Sequence, residues 1–219
     1  MTGEAPTSLA EIAHLVLAVV GALEDASGHL GELDSVAGDG DHGLTMAEAA
    51  RGVRAKLAAE PPRDLVALLD MVANEFAQAG GAMGAIAYVL VEAVGHAGAE
   101  MKGALSAAEV AQLLAVAQDA VTEFGGAQPG DKTIIDSINA ARTAASESAG
   151  GDASAVEALR QAARGARRGA DATAGMIARV GRSSRLGEIS RGTVDPGAES
   201  FAIAMEALAA TYAGEHSES

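Results

Sequence analysis

The sequence predicts an all-α protein, a single-domain antiparallel bundle of eight helices with its candidate site in the loops at one end. Two observations carry this. Apolar residues recur at three- and four-residue spacing in segment after segment, and β-branched residues never cluster with period two. Only 2% of the residues are aromatic and none is Trp, so the core is expected to be Ala, Leu, Val, Ile and Met, small side chains that suit closely packed helices. A chain of 219 residues with 49% hydrophobic content suffices for one such core. The domain is expected over residues 1–219, with frayed tails at about 1–7 and 214–219.

The elements follow in order. Ser8 with Glu11 reads as a capping box before Ile12, Leu15, Val16, Val19, Val20 and Leu23, a first helix ending near Ser27-Gly28. After an acidic loop, Met46, Ala49, Ala50, Val53 and Leu57 mark a second, stopped by Pro61-Pro62. Leu65, Leu68, Leu69, Val72 and Phe76 form a third, closed by Gly80-Gly81, and a fourth runs from Met83 through Ile86, Leu90 and Val94. Ser106 with Glu109 opens a fifth, which ends at Gly125-Gly126, and after Pro129-Gly130 a sixth carries Ile134, Ile135 and Ile138. Ser154 with Glu157 caps a long Ala/Arg-rich seventh, predicted to run to about Arg179. Asp195 as N-cap and Pro196 at the first helical position open the eighth, lined by Phe201, Met205, Leu208 and Tyr212.

A formal net charge of −15 argues against nucleic acid as a partner, since phosphate-backbone binding depends on clustered Lys and Arg, and it disfavours membrane surfaces for the same reason. No cysteine is present, so disulfides and thiolate chemistry are excluded. The N-terminus lacks the basic region of a signal peptide and no long uninterrupted apolar run suggests a membrane span, so a cytoplasmic location is expected.

Glycine, aspartate and hydroxyl residues concentrate in four connections, 34–45, 80–84, 125–133 and 181–197. In an up-and-down bundle alternate connections share an end, so all four are expected at one rim as a composite site. Asp34, Asp39 and Asp41 supply the oxygen ligands that a hard cation such as Mg²⁺ takes, although a solvated turn with Asp41 as a helix cap has the same composition. The spacing does not fit an EF-hand. Gly38 and Gly40 allow a ligand close to the backbone, and the helix that follows offers N–H groups at Gly43 to Thr45 for phosphate. Lys132 and Arg182 are candidate phosphate counter-ions, of which loop-borne Arg182 fits better because a guanidinium matches phosphate geometry. Arg164, Arg167 and Arg168 are read as a solvated or partner-facing helix face.

Taken in order, GDGDHGLTM, GGAMG, PGDKTIID and GRSSRLGE…DPGAES resemble the nucleotide-binding L subunit of dihydroxyacetone kinases, a family that also contributes a domain to fatty acid kinases. The resemblance covers nearly the whole chain and implies an eight-helix barrel with a nucleotide at one end. It implies that Asp34, Asp39 and Asp41 bind a pair of Mg²⁺ ions, that His42, Gly43, Leu44 and Thr45 contact the phosphates of ADP or ATP, and that Ala82 and Met83 face them on the glycine loop. Gly125 and Ile134 would border the adenine, Arg182 would approach the nucleotide, and Asp195, Pro196 and Gly197 would close the pocket. Two departures stand out. Met83 takes the place of a customary serine, leaving only backbone contacts to phosphate there, and Leu44 and Thr45 replace smaller or amide residues.

The implied activity is phosphoryl transfer to a ketose held by a separate K-type subunit or domain. The phosphoryl donor is either ATP or a resident ADP recharged by a phosphocarrier protein. No general base is evident among the motifs. The alternatives are a non-catalytic nucleotide-binding regulator, to which Met83 points, and a fatty acid kinase-like module.

Overall fold

The computed structural model describes residues 7–151 and 153–216; the N-terminal tail expected to fray lies outside them except for Thr7. The described residues form nine α-helices and no strand: α1 Leu9–Asp25, α2 Ser27–Ala37, α3 His42–Ala59, α4 Leu65–Ala79, α5 Gly81–Glu100, α6 Ala107–Gly125, α7 Ile134–Ala149, α8 Ala155–Ala172 and α9 Pro196–His216. Two 3₁₀ stretches, Thr173–Gly175 and Arg182–Ser190, lie between α8 and α9.

The helix starts obey the capping chemistry written in the sequence. Ser8 and Ser106 each accept the N–H of the Glu three residues on, while that Glu accepts the cap's own N–H, satisfying two of the donors a helix start leaves open. Ser106→Ala removes one of these acceptors and is expected to lower stability by about 1 kcal/mol. A lowered urea midpoint at unchanged slope is the readout.

Eight of the helices close a ring in the order α1, α3, α4, α5, α6, α7, α8, α9, with α9 packed back on α1. This is the expected eight-helix barrel. Its wall buries one apolar cluster on α1, α3 and α4, including Val20, Met46, Val53, Leu68 and Phe76. A second cluster unites α6 to α9, including Leu114, Ile135, Ile138, Phe201 and Tyr212. Met83 packs against both. Small side chains do bring α7 and α8 together: a Cβ on Gly165 would stand 2.5 Å from the Ala140 carbonyl oxygen. They do not fill the barrel, whose interior keeps an apolar cavity of about 840 Å³ lined by residues such as Leu15, Leu90, Val94, Leu114 and Phe201.

Several boundaries differ from expectation. The largest difference is α2, which occupies what the glycines at 28 and 31 mark as loop. It grows out of α1 through the Ala26 N–H to Ala22 and the Leu30 N–H to Ala26, and fully buried Leu30 anchors it. Burial of one leucine against the core outweighs the low intrinsic helicity of the segment. α5 begins two residues early, at Gly81. α8 stops at Ala172 rather than near Arg179, because the Thr173 carbonyl is taken by Lys132 and the Arg179 N–H by the Asp131 carbonyl. α9 continues through Gly214 to His216, where Glu215 bonds His14 at 2.6 Å and the His216 ring stacks on Tyr212. Finally, α5 is long and apolar enough to cross a membrane by length and composition, contrary to the sequence expectation. It is a stave of the ring, packed between α4 and α6.

Candidate functional site

The ring order places the α1–α3, α4–α5, α6–α7 and α8–α9 connections at one end, as the distribution of glycine and aspartate required. α2 and the turn at 38–41 form the first connection. Asp34 lies in the last turn of α2, and Asp39 and Asp41 follow in the turn, so that one carboxylate oxygen from each comes within 4.8 Å of the others. Gly38 lets the Asp34 carboxylate fold close over the turn, since a Cβ on it would stand 2.1 Å from one carboxylate oxygen and make that side chain shift. Three like charges this close, one of them at a helix C-terminus whose dipole is also negative, repel one another unless a cation joins them. Oxygen-only donors of this kind suit a hard divalent ion. The Arg182 guanidinium pairs with Asp39, both being more than half exposed or nearly so, and so brings the 182–190 stretch over the acidic turn.

His42 opens α3 with its N–H 3.4 Å from Asp34 Oδ2. Its ring is buried, bonds Ser200 at 2.6 Å and the Pro196 carbonyl, and thereby fastens the start of α3 to the start of α9. Burial holds the imidazole below its ordinary pKa against the opposing pull of Asp34 and Pro196, so it is a neutral tether. The Thr45 N–H is bonded to the Asp41 carbonyl, which leaves the first-turn N–H groups of Gly43 and Leu44 as the donors for a ligand rather than the full run to Thr45. Thr45 is buried, with its hydroxyl 4.0 Å from where a Gly81 Cβ would be.

Gly197 marks the convergence of the other loops. A Cβ there would lie 3.1 Å from Asp195 Oδ2, 3.4 Å from Met83 Sδ and 3.6 Å from Ile134 Cβ. Thus Asp34, Asp39, Asp41, His42, Gly43, Thr45, Met83, Ile134, Arg182, Asp195, Pro196 and Gly197 are linked across four connections. Ala82 sits beside Met83 in the first turn of α5. Leu44 and Gly125 are exposed at the margin, Gly125 ending α6 before the left-handed cap Gly126.

Lys132 is a buried clamp rather than a solvated counter-ion. With φ at 62°, it turns its Nζ onto the carbonyls of Thr173 at 2.6 Å and Thr193 at 2.5 Å. Asp136 caps its own helix and accepts N–H bonds from Gly130 at 2.5 Å and Thr133 at 2.8 Å, which shapes the 128–133 turn. The spacing Thr133-x-x-Asp136 carries that capping signal in the sequence. No local signal announces Ser200, Thr173 or the burial of Lys132, since each depends on a partner at least 22 residues away. Arg167 likewise leaves the solvated face to which Arg164 and Arg168 belong, bridging α8 to Glu199 at 2.6 Å and Glu206 at 2.9 Å on α9.

Asp195 is pushed up to about 6, chiefly by burial, against the N–H bonds from Ala198 and Gly197 and the charge of Lys132. Because the folded carboxyl binds its proton more tightly than the unfolded one, its contribution is greatest below about pH 4 and is lost as pH rises through 6. Asp195→Asn keeps an N-cap acceptor and is expected to gain in stability relative to the wild type as pH is raised from about 4 to 7. Urea titrations of both proteins across that range read the difference.

The sequence profile described as the DAK2 domain matches residues 36–210. The chain is 39% identical over 225 residues to the L-erythrulose 1-kinase of Mycolicibacterium smegmatis, which covers 97% of this chain and 37% of that protein. It is 34% identical over 184 residues to the ADP-binding subunit of the PEP-dependent dihydroxyacetone kinase of Escherichia coli, covering 84% of this chain and 87% of the subunit. The dihydroxyacetone kinase of C. freundii, solved in complex with AMP-PNP and Mg²⁺, superposes with a TM-score of 0.70 at 27% identity, over 94% of this chain and 34% of that one. The chain spans about a third of the length of the longer kinases it matches, 37% and 35% for two erythrulose kinases.

Proposed function

From the premise that this chain belongs to the DAK2 domain family, we propose that it is the nucleotide-binding phosphotransferase unit of a ketose kinase, working on a ketose presented by a K-type partner. The observation that carries the reading is the gathering of Asp34, Asp39 and Asp41 at the rim where four glycine- and aspartate-bearing connections meet. The 87% coverage of an ADP-binding subunit supports the nucleotide, and the kinase names of the longer relatives support the reaction. The whole of residues 1–219 would serve as one nucleotide-binding domain, acting in the cytoplasm.

In this reading Asp34, Asp39 and Asp41 hold Mg²⁺, a pair of ions, which when bound offsets the charge of the phosphates of ATP or ADP. The N–H groups of Gly43 and Leu44 point at the phosphates from the α3 N-terminus. Ala82 and Met83 close the opposite side through their backbone, and Ile134 and Gly125 border the base. Asp195, Pro196 and Gly197 close the pocket. Arg182 shares Asp39 with the cation site, and exchanging that exposed carboxylate for a phosphate costs little, since exposed ion pairs are weak. The protein's part is positioning and charge, and no side chain of the cluster is assigned as a general base. The phosphoryl donor is ATP, or a resident ADP recharged by a phosphocarrier.

The test is turnover with ATP, Mg²⁺, a triose or tetrose ketose and a purified K-type subunit. Phosphorylated ketose formed only when both proteins are present is the expected result. Binding of ADP and Mg²⁺ with no transfer to any ketose-loaded K-type subunit, and none from a phosphocarrier, would make the chain a regulator instead.

A further inference from the structure

The solvent-exposed strip of α8 is made of arginine. Of the residues from Ala155 to Ala170, Arg160, Arg164 and Arg168 are the exposed ones, while Ala158, Ala162, Ala166 and Ala170 are buried. A spacing of four puts the three arginines one above another on a single face, about 6 Å apart along the helix axis. The strip runs along the outside of the barrel wall, and Arg160 stands about three turns from the α8–α9 connection at the rim. Among the described residues no carboxylate pairs with any of the three, in a chain that has 30 Asp and Glu against 15 Lys and Arg.

The nearby carboxylates are committed elsewhere. Glu206 lines a groove together with Arg160 and Arg164, yet both its oxygens go to Arg167, at 2.9 and 3.1 Å. Glu157, three residues before Arg160, accepts a bond from Gln161 at 2.7 Å, and Asp171, three after Arg168, lies 3.9 Å from Arg167. Like charges one turn apart repel, so the strip gains nothing from the fold and its charge stays available to an outside group. The groove beside it, about 480 Å³ in volume, runs between α8 and α9. Its α9 side includes the exposed Ala210 and Gly214, and buried alanines of both helices line it as well. Side chains this small let the backbone of another helix approach closely.

We infer that the α8–α9 wall is a docking surface for an acidic helical segment of a partner protein, seated in the groove with its carboxylates on Arg160, Arg164 and Arg168. A helix bearing Asp or Glu at every fourth position repeats with the same rise as the strip, so each guanidinium meets one carboxylate in the planar two-pronged geometry that arginine favours. The charges are strung along a line and do not converge, which suits a linear polyanion better than a single small anion. Nucleic acid and anionic bilayers are repelled at long range by the net charge of −15, and bilayer-binding clusters are larger than three residues. An acidic helix brings its carboxylates in a matched line and needs only this one face. The surface lies on the barrel wall, away from the acidic turn, and is independent of the ketose kinase reading.

The test is fluorescence anisotropy of the full chain with a labelled Ala-rich helical peptide carrying Glu at every fourth position, beside the same peptide with Gln. The wild type is expected to bind the Glu peptide, more weakly as NaCl is raised from about 0.05 to 0.2 M, and not the Gln peptide. Arg160→Gln/Arg164→Gln/Arg168→Gln should bind it about tenfold more weakly or worse, at an unchanged melting temperature and unchanged Mg²⁺-ADP affinity. Arg51→Gln/Arg54→Gln/Arg63→Gln alters net charge equally at exposed arginines that are already paired, and should bind as the wild type does. Ala210→Leu fills the groove without touching a charge and should also weaken binding. Failure of the wild type to bind the Glu peptide overturns the proposal, as does equal loss in the two triple variants, which would make the effect one of net charge. Wild-type affinity in Ala210→Leu overturns the seating in the groove. Binding of phosphatidylserine vesicles or single-stranded DNA in preference to the peptide, or a wild-type dimer in sedimentation that the α8 triple variant loses, assigns the strip to another occupant and overturns the proposal too. Each of these outcomes leaves the kinase reading standing, because Mg²⁺-ADP binding is measured separately on the same proteins.

Discussion

Asp39→Ala/Asp41→Ala is expected to reduce Mg²⁺-dependent ADP binding at least a hundredfold, about 3 kcal/mol, while leaving the fold in place. Both carboxylates are exposed, and Asp41 makes no side-chain bond as the N-cap of α3. Asp39 pairs with Arg182, a pair exposed enough to contribute little. Removing two of three crowded negative charges relieves repulsion, so the melting temperature should hold or rise slightly. Asp34 is left out of the variant because it receives the His42 N–H and packs against Gly38, which makes its loss structural as well as electrostatic. Calorimetry with ADP at several Mg²⁺ concentrations, beside a thermal melt, separates the two effects. Wild-type affinity in the double variant would remove the acidic turn from the nucleotide site altogether.

Gly43→Ala is expected to be the most damaging single substitution at the rim. A Cβ at this position would stand 1.8 Å from the Ser27 carbonyl oxygen and 2.8 Å from the Gly31 nitrogen, both backbone atoms with no side-chain freedom to yield. The start of α2 must therefore move away from α3. Overpacking against backbone in a buried contact costs on the order of 3 kcal/mol, which in a protein of this size lowers Tm by roughly 6–12 °C. Asp34 moves with α2, so Mg²⁺-ADP affinity should fall too, although no ligand atom has been removed. Leu44→Ala, one residue on and exposed, is expected to leave Tm nearly unchanged. Equal melting temperatures for the Gly43 variant and the wild type would show that α2 does not press on α3 as described.

The same glycine explains what sequence reasoning can and cannot see. Gly43 reads as one of the helix-start N–H donors for phosphate, yet what requires a glycine there is another helix of the same chain. His42 is, by the family resemblance, a phosphate contact, and its ring is bonded to Ser200 and the Pro196 carbonyl. Lys132 reads as a candidate phosphate counter-ion and is buried on two carbonyls. In each case residue type and local spacing are compatible with several partners, and the partner is chosen by a segment far away in the chain.

What local chemistry does decide, it decides firmly. The eight staves are legible because apolar periodicity and caps such as Ser8, Ser106 and Asp195 act over three or four residues, within reach of any sequence window. The gathering of the four loops at one end is legible too, because alternating direction follows from helix count alone. The amino-acid order was thus sufficient for an all-α barrel with its glycines and aspartates at a single rim, and four motifs were sufficient for the family. Tertiary structure alone decided that residues 27–37 are helical, since it is burial of Leu30 against distant helices that stabilises a glycine-bearing segment. It also decided that the small-residue core leaves a cavity and that Arg182 reaches Asp39. These outcomes depend on which surfaces the closed ring covers, a property of all the staves together and of no single stretch of chain.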